Sequence, residues 1–294
     1  MKILIAGGTG FIGTHLARWL ETEGHTLSLL SRKRGPGLIV WDAVHAGAWE
    51  QSLEGTDAVI NLTGESVGAG RWTTLQKERI RNSRIEATRA IVEAIRKAAK
   101  KPQVMINASA VGYYGHVEDG DVKEDAPAGN DFLGQTCRVW ESEARKAEQW
   151  GVRVVLMRTG FVLGSDSDAF KKMQLPFKLF VGGPFGSGKQ WFPWIHIDDV
   201  AAGYAFAIGQ SALSGPVNLS APNPVRVRDL ARELGRALHR PSFMPAPAFA
   251  LKIALGEMSD LLLKGQKMIP VKLLQHGFAF RFPELPAALS DAVG

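Results

Sequence analysis

Short runs of Val, Ile, Leu, Met and Ala recur through the first half of the chain, at 2–6, 26–30, 58–62, 104–108 and 153–158. They are close to continuously apolar, the pattern of strands covered on both faces. Between them lie helical stretches at 14–23, 74–100 and 136–150. In the second of these, Ile80, Ile85, Ile91, Val92 and Ile95 recur at roughly helical spacing. Strand and helix in alternation predict a parallel sheet wound on both faces by helices.

After Gly164 the texture changes. Gly182 to Gly188 is a loop by composition. A short apolar run at 195–197 leads into a helix at 198–208, and 216–220 reads as another strand. Pro222, Pro224, Pro241, Pro245 and Pro247 then punctuate a region with helices at 227–238 and 249–263. The expected fold class is α/β: a Rossmann-type doubly wound parallel sheet over 1–165, with a smaller C-terminal α/β cap over 166–294. The segments of the two parts are expected to be partly interleaved.

Composition narrows the class. The 294 residues are 45% apolar, enough to bury a full core. No apolar stretch reaches the length of a membrane span. With the first strand read from residue 2, no secretory leader is expected. Cys137 is the only cysteine, so an intrachain disulfide and a cysteine-based metal site are both excluded. A cytoplasmic protein is expected. The formal charge of +6 attracts anions, but the basic residues are scattered. Neither a concentrated basic face nor a known module points to nucleic acid. The expected partner is a small-molecule substrate, with no membrane or nucleic-acid partner. Monomer and homodimer both stay open.

The strand at 2–6 runs into Gly7-x-x-Gly10-x-x-Gly13 and then a helix, the context of a dinucleotide site. Gly7 makes the tight turn, Gly10 lets backbone approach a pyrophosphate, and Gly13 lets helix and strand pack closely. The phosphates sit on the free N–H groups at the helix start. Thr9, Phe11 and Ile12 lie in the same cofactor loop. An NAD site carries an acid near the end of the second strand, to hold the ribose 2′-OH. Here that strand ends in Ser31-Arg32-Lys33-Arg34, with no carboxylate. Ser31 can donate to a 2′-phosphate, and Arg32 can pair with it and stack on adenine. The expected cofactor is NADP(H).

These residues resemble the extended short-chain dehydrogenase/reductase superfamily. Asp57-Ala-Val-Ile-Asn-Leu-Thr-Gly64 and His196-Ile-Asp-Asp199 also fit its pattern. Over nearly its full length the chain resembles the epimerase family proteins of the YfcH type. That likeness runs through Trp41-Asp42, Asn61 to Glu65, Ser109 to Gly115, Gly182 to Gly188 and Gly265 to Pro270. The physiological substrate of that group is generally unassigned. The resemblance implies that Leu62 and Thr63 pass the cofactor by their backbone. It also implies that Arg84 and Glu78 reach cofactor or substrate from the long helix. Arg84 is a plausible clamp for a phosphate or carboxylate. Phe161 falls near the nicotinamide end, or else is plain core.

In that superfamily a Ser, a Tyr and a Lys four residues after the Tyr carry the chemistry. The Tyr moves a proton, the Lys lowers its pKa, and the Ser orients the substrate oxygen. Ser109 fits the Ser role. The Tyr and Lys positions fall on Leu133 and Cys137, or one residue earlier on Phe132 and Thr136. Neither register supplies the pair, so this chain departs from the pattern. Tyr113 or Tyr114 is either a substitute acid or a pocket lining. Cys137 reads as a small core residue. Asp198 and Asp199 are expected to cap a helix, with His196 fixing the hinge between the two parts. Gly183 to Lys189 nearly spells a phosphate-binding P-loop, but Gln190 replaces the required Ser or Thr and no helix follows. The loop is expected to cover a substrate mouth, with Trp191, Phe192 and Trp194 as its wall. Two functions remain: an NADP(H)-dependent oxidoreductase or epimerase-like protein acting on a small carbonyl or sugar-like substrate, or a non-catalytic NADP(H)-binding redox sensor.

Overall fold

Alternate residues of the first strand, β1 (Lys2–Ala6), point to opposite layers. Ile3 and Ile5 face one layer; Leu4 and Ala6 face the other. The computed structural model describes all 294 residues. The other strands of the central sheet are β2 (Thr26–Ser31), β3 (Leu38–Val40), β4 (Ala58–Asn61), β5 (Val104–Ala110), β6 (Arg153–Thr159) and β7 (Gly215–Leu219). All seven pair in parallel, in the order β7-β6-β5-β4-β1-β2-β3. This is a Rossmann-type α/β fold.

On one face α1 (Phe11–Thr22) and α5 (Ile197–Gly209) contribute Leu16, Leu20, Val200 and Tyr204 to a core shared with Ile60, Ile106 and Met157. On the other, α2 (Thr74–Lys97) and α3 (Phe132–Arg145) bring Ile91, Ile95 and Ala144 against Val59, Met105 and Leu156. A third core lies in the C-terminal lobe. It joins Phe170 of α4 (Asp168–Lys178) and Leu230 and Leu234 of α6 (Val227–Ala237) to Trp194 and to Leu285 and Leu289 of the last helix. Strand β7 and helix α5 lie beyond residue 165, yet one extends the sheet and the other packs on α1. The strand order reverses between β1 and β4, and ligands bind such sheets in the crevice at that reversal.

Several boundaries differ from those expected, each for a local reason. Helix α1 begins at Phe11, because Gly10 already stands at its N-cap. Helix α3 begins at Phe132, where the Asp131 carboxylate accepts from the Gly134 N–H at 2.8 Å. The expected helix over 249–263 is broken at Gly256, whose φ is +61°. It becomes α7 (Ala248–Leu255), a 3₁₀ turn and a last turn at Asp260–Leu263. Helix α4 was not anticipated; its Pro176 sits near the C-terminal end, where it ends rather than prevents the helix. No helix is long and apolar enough to cross a membrane.

Candidate functional site

The three opening glycines form a cradle that side chains would fill. Gly7 has φ +82°, and a Cβ there would lie 3.1 Å from the Leu62 carbonyl group. A Cβ on Gly13 would lie 2.4 Å from the Gly7 oxygen, far inside contact distance. Gly10 caps α1 by backbone alone, with no side-chain oxygen spent on the first turn. The N–H groups of that turn therefore have no partner in the helix, as an anion site requires.

The basic turn is tied to this cradle. The Thr9 and Ser31 hydroxyls lie 3.1 Å apart, and the Lys33 N–H donates to Ser31 Oγ at 3.1 Å. Ser31 is buried, while Arg32 projects beyond the strand end and is exposed. Leu62 and Thr63 run alongside Gly7. Their path is held by buried Asn61, which donates to Thr88 Oγ1 at 2.9 Å and Asn107 Oδ1 at 2.7 Å and accepts from the Thr63 N–H at 3.1 Å. Phe11 packs over Gly164, where a Cβ would come within 2.8 Å of its ring. Ile12 is half-buried in the first turn of α1.

Two residues expected from the long helix are placed as follows. Arg84 is anchored by one of its three nitrogens. Its Nη1 donates to the Glu65 and Ile80 carbonyls at 2.9 and 2.8 Å, and its guanidinium stacks 5.1 Å from the Trp140 ring. Gly64 admits it, since a Cβ there would lie 3.0 Å from Arg84 Cζ. Burial lowers its pKa, and its Nη1 ties the turn at Glu65 to the helix. Glu78 is exposed on α2, with neither a hydrogen bond nor an ion pair. Phe161 is half-buried against Phe192, ring centres 5.1 Å apart.

At the end of β5 the structure assembles a buried polar group. Ser109 donates to Glu141 Oε1 at 2.7 Å. Glu141 forms a bidentate pair with Arg158, both bonds 2.8 Å and both side chains buried. Arg158 also donates to the Tyr114 hydroxyl at 2.9 Å and to the Glu124 carbonyl at 3.0 Å. Burial pushes the Tyr114 pKa up to about 12. Tyr113 lies over the same guanidinium, 3.4 Å from its carbon to the ring centre, and its hydroxyl makes no hydrogen bond within the protein. Glu141 and Arg158 were not singled out for a role in advance. The available signal was Arg158, a charged residue directly after the apolar run Val154–Met157 of β6.

Leu133 and Cys137, at the Tyr and Lys positions, line the same region of α3. Leu133 packs on Gly112, and Cys137 is buried with its thiol pushed up to about 12 by that burial. It is a core residue.

Two expectations are corrected. The aromatic wall is mostly core: Trp194 is fully buried and Phe192 nearly so, and only half-buried Trp191 borders a cleft. The cap of α5 is His196 itself, whose Nδ1 accepts from the Asp198 N–H at 3.2 Å. Asp199, one turn in, is fully buried and accepts from the Arg281 and Phe282 N–H groups at 2.7 and 3.0 Å. A helix-cap pattern concealed a tether to the C-terminal segment.

With this geometry in view, comparison with known proteins places the chain. The sequence profile of the NAD dependent epimerase/dehydratase family matches residues 3–219. The chain belongs to that family. Residues 246–292 match a separate domain of unknown function, DUF1731. The chain is 41% identical to the epimerase family protein YfhF of Bacillus subtilis, covering all of this chain and 98% of that one. It is likewise 41% identical to the human epimerase family protein SDR39U1, over the full length of both. A crystal structure of the human protein with NADPH superposes with a TM-score of 0.92 at 38% identity, covering 100% and 99% of the two chains. A nucleoside-diphosphate sugar epimerase from Corynebacterium glutamicum superposes with a TM-score of 0.82 at 33% identity, and this chain spans 58% of it.

Proposed function

We propose that this family member is a cytoplasmic NADP(H)-dependent oxidoreductase or epimerase-like enzyme of the YfcH-type group, acting on a small carbonyl or sugar-like molecule. The observation that carries the cofactor is the Thr9–Ser31 contact, which joins the glycine cradle to a turn with Arg32 and no carboxylate. Gly7 and Gly13 accommodate a pyrophosphate, because any side chain there would fill the space. Ser31 and Arg32 would hold the 2′-phosphate. The NADPH-bound human relative supports the same reading. Bound NADPH supplies a hydride.

The proton is the task of the protein, and Tyr113 is the candidate donor, since its hydroxyl is unspent. Arg158 positions its ring from below. Ser109, its own proton committed to Glu141, braces the ion pair and leaves an oxygen lone pair free to accept. The absence of the Tyr-x-x-x-Lys pair favours the second reading, a redox sensor without turnover. NADPH consumption against small aldehydes, ketones and sugar nucleotides separates the two. Tight NADPH binding with no turnover of any class would decide for the sensor. Equal affinity for NADH and NADPH would overturn the cofactor assignment.

A further inference from the structure

The C-terminal lobe holds apolar side chains out in water. More than half of the large apolar residues exposed on the chain lie on two stretches, 175–181 and 243–253. Single exposed apolar residues are ordinary on a protein surface, but a contiguous patch marks a contact. At the end of α4 and just beyond it, Leu175, Leu179, Phe180 and Val181 are exposed. Phe243, Phe249 and Ile253 are more so, at 71%, 68% and 73%. Helix α7 reads Ala-Phe-Ala-Leu-Lys-Ile-Ala-Leu and has no buried residue. A helix apolar nearly all round is normally enclosed, so its cover comes from outside the chain.

The two stretches form one face. Residues 182–186 run beside 244–246: the Met244 N–H donates to the Gly182 carbonyl at 3.0 Å, and the Ala246 N–H to the Pro184 carbonyl at 2.9 Å. The Arg240 guanidinium lies 4.7 Å from the centre of the Phe180 ring. Farther along, both helices hold the 68–71 loop. Lys172 Nζ donates to the Gly68 carbonyl at 3.5 Å, and Arg71 Nη2 to the Ile253 carbonyl at 3.3 Å.

Charge tells what covers this face. Lys171, Lys172 and Lys178 on α4, Arg240, and Lys252 on α7 are all exposed, and none is paired with a carboxylate. The arginines of α6, by contrast, meet Asp229 and Glu233. The acids at the rim are engaged: Glu257 by Lys77 and Asp260 by Lys264. The one acid of α4, Asp168, stands at its far end. On α7, Phe249, Lys252 and Ile253 follow the three- and four-residue spacing of one helix face, so cation and apolar tips point the same way.

We propose that this face rests on an anionic lipid bilayer. Phe243, Phe249 and Ile253 enter the headgroup boundary, and the lysines meet the negative headgroups. A second copy fits less well, because a two-fold contact sets a patch against itself and would confront these cations with their own kind. The apolar runs of the sequence exclude a membrane span, and no helix is long and apolar enough for one; a surface contact needs none. The contact does not depend on the enzyme reading above.

The test uses the full chain and two kinds of vesicle: phosphatidylcholine alone, and phosphatidylcholine with an equal part of phosphatidylserine. Sedimentation should capture the protein on the mixed vesicles and leave it in solution with phosphatidylcholine alone, and salt should weaken the capture. Lys178→Gln/Lys252→Gln should weaken it at least about tenfold, since each lysine near such a surface contributes. Phe249→Gln/Ile253→Gln should do the same, with NADPH affinity and Tm unchanged, because neither side chain is in the core. No capture on mixed vesicles, equal capture on both kinds, or equal capture of wild type and both variants would overturn the proposal. So would a lipid-free dimer that Phe249→Gln/Ile253→Gln dissolves, which would give the face to a second copy. Tight binding of polyglutamate without vesicle capture would give it to an acidic protein instead.

Discussion

The guanidinium carbon of Arg158 sits 3.4 Å from the centre of the Tyr113 ring, while its nitrogens hold both oxygens of Glu141. One buried cation thus supports the candidate proton donor from below and neutralises the carboxylate that accepts the Ser109 hydrogen bond. Removing it leaves Glu141 charged, buried and unpaired. Arg158→Leu should cost about 3–5 kcal/mol of stability, as broken buried ion pairs do. Urea unfolding measures this, and a loss below about 1 kcal/mol would show that the pair is not a keystone.

Tyr113→Phe removes only the free hydroxyl and keeps the stacked ring. If Tyr113 gives up the proton, kcat should fall by about 100-fold or more on any carbonyl the protein reduces. NADPH affinity should not change. An unaltered kcat would reduce Tyr113 to a lining residue.

Arg32→Ala deletes an exposed, unpaired cation. Charge-assisted hydrogen bonds contribute roughly 1.5–3 kcal/mol, so NADPH affinity should fall by about tenfold or more. NADH affinity should stay level. Parallel fluorescence titrations with both nucleotides read the ratio, and an equal loss for both would place Arg32 away from the 2′-phosphate.

Gly13→Ala introduces a carbon 2.4 Å from the Gly7 oxygen, which no rotamer relieves. NADPH binding should be lost or fall well over tenfold, with a drop in Tm. Gly24→Ala is the control. Unlike Gly13 it has a positive φ, +80°, but nothing lies within 4 Å of its Cβ. It should cost only the backbone strain, about 1 kcal/mol, and leave cofactor affinity intact.

Burial holds the His196 pKa below its ordinary 6.5. The folded state therefore keeps this ring neutral where the unfolded chain begins to protonate it. The resulting stability is complete above about pH 6.5 and is lost as pH falls toward the lowered folded value. His196→Asn keeps an acceptor for the Asp198 N–H and removes the titration. Between about pH 7.5 and 5.5 the wild type should lose stability more steeply than this variant. Parallel slopes in urea unfolding would dismiss the assignment.

Much of the nucleotide half was readable because its determinants are local. The strand at 2–6 is observed over the same residues, and the glycines follow it directly. A turn of this kind is specified by what fits within about ten residues. The Arg158–Glu141 pair was not readable. Its members lie on a strand and a helix 17 residues apart, and each alone looks like an ordinary surface charge. Trp194 misled for a related reason. In a glycine-rich neighbourhood an aromatic residue reads as pocket wall, but here it fills the core under α6. Arg84 has the chemistry of a clamp, and only tertiary contact shows its Nη1 already spent on two carbonyls, with Nε and Nη2 left without a partner in the protein.

Asp199 sets an order of events in synthesis. It belongs to the helix packed on α1, but the N–H groups that satisfy it come 82 and 83 residues later. A ribosome adds roughly 5–20 residues per second, so that helix waits on the order of ten seconds for its partners. During that interval the carboxylate must stay hydrated or take up a proton, because burying it charged and unpaired is too costly. The α5 face of the nucleotide-binding half therefore gains its charged tether only when the segment around Arg281 and Phe282 has emerged. A protein truncated before residue 281 would carry every strand of the sheet and still hold an open, wet seam along it.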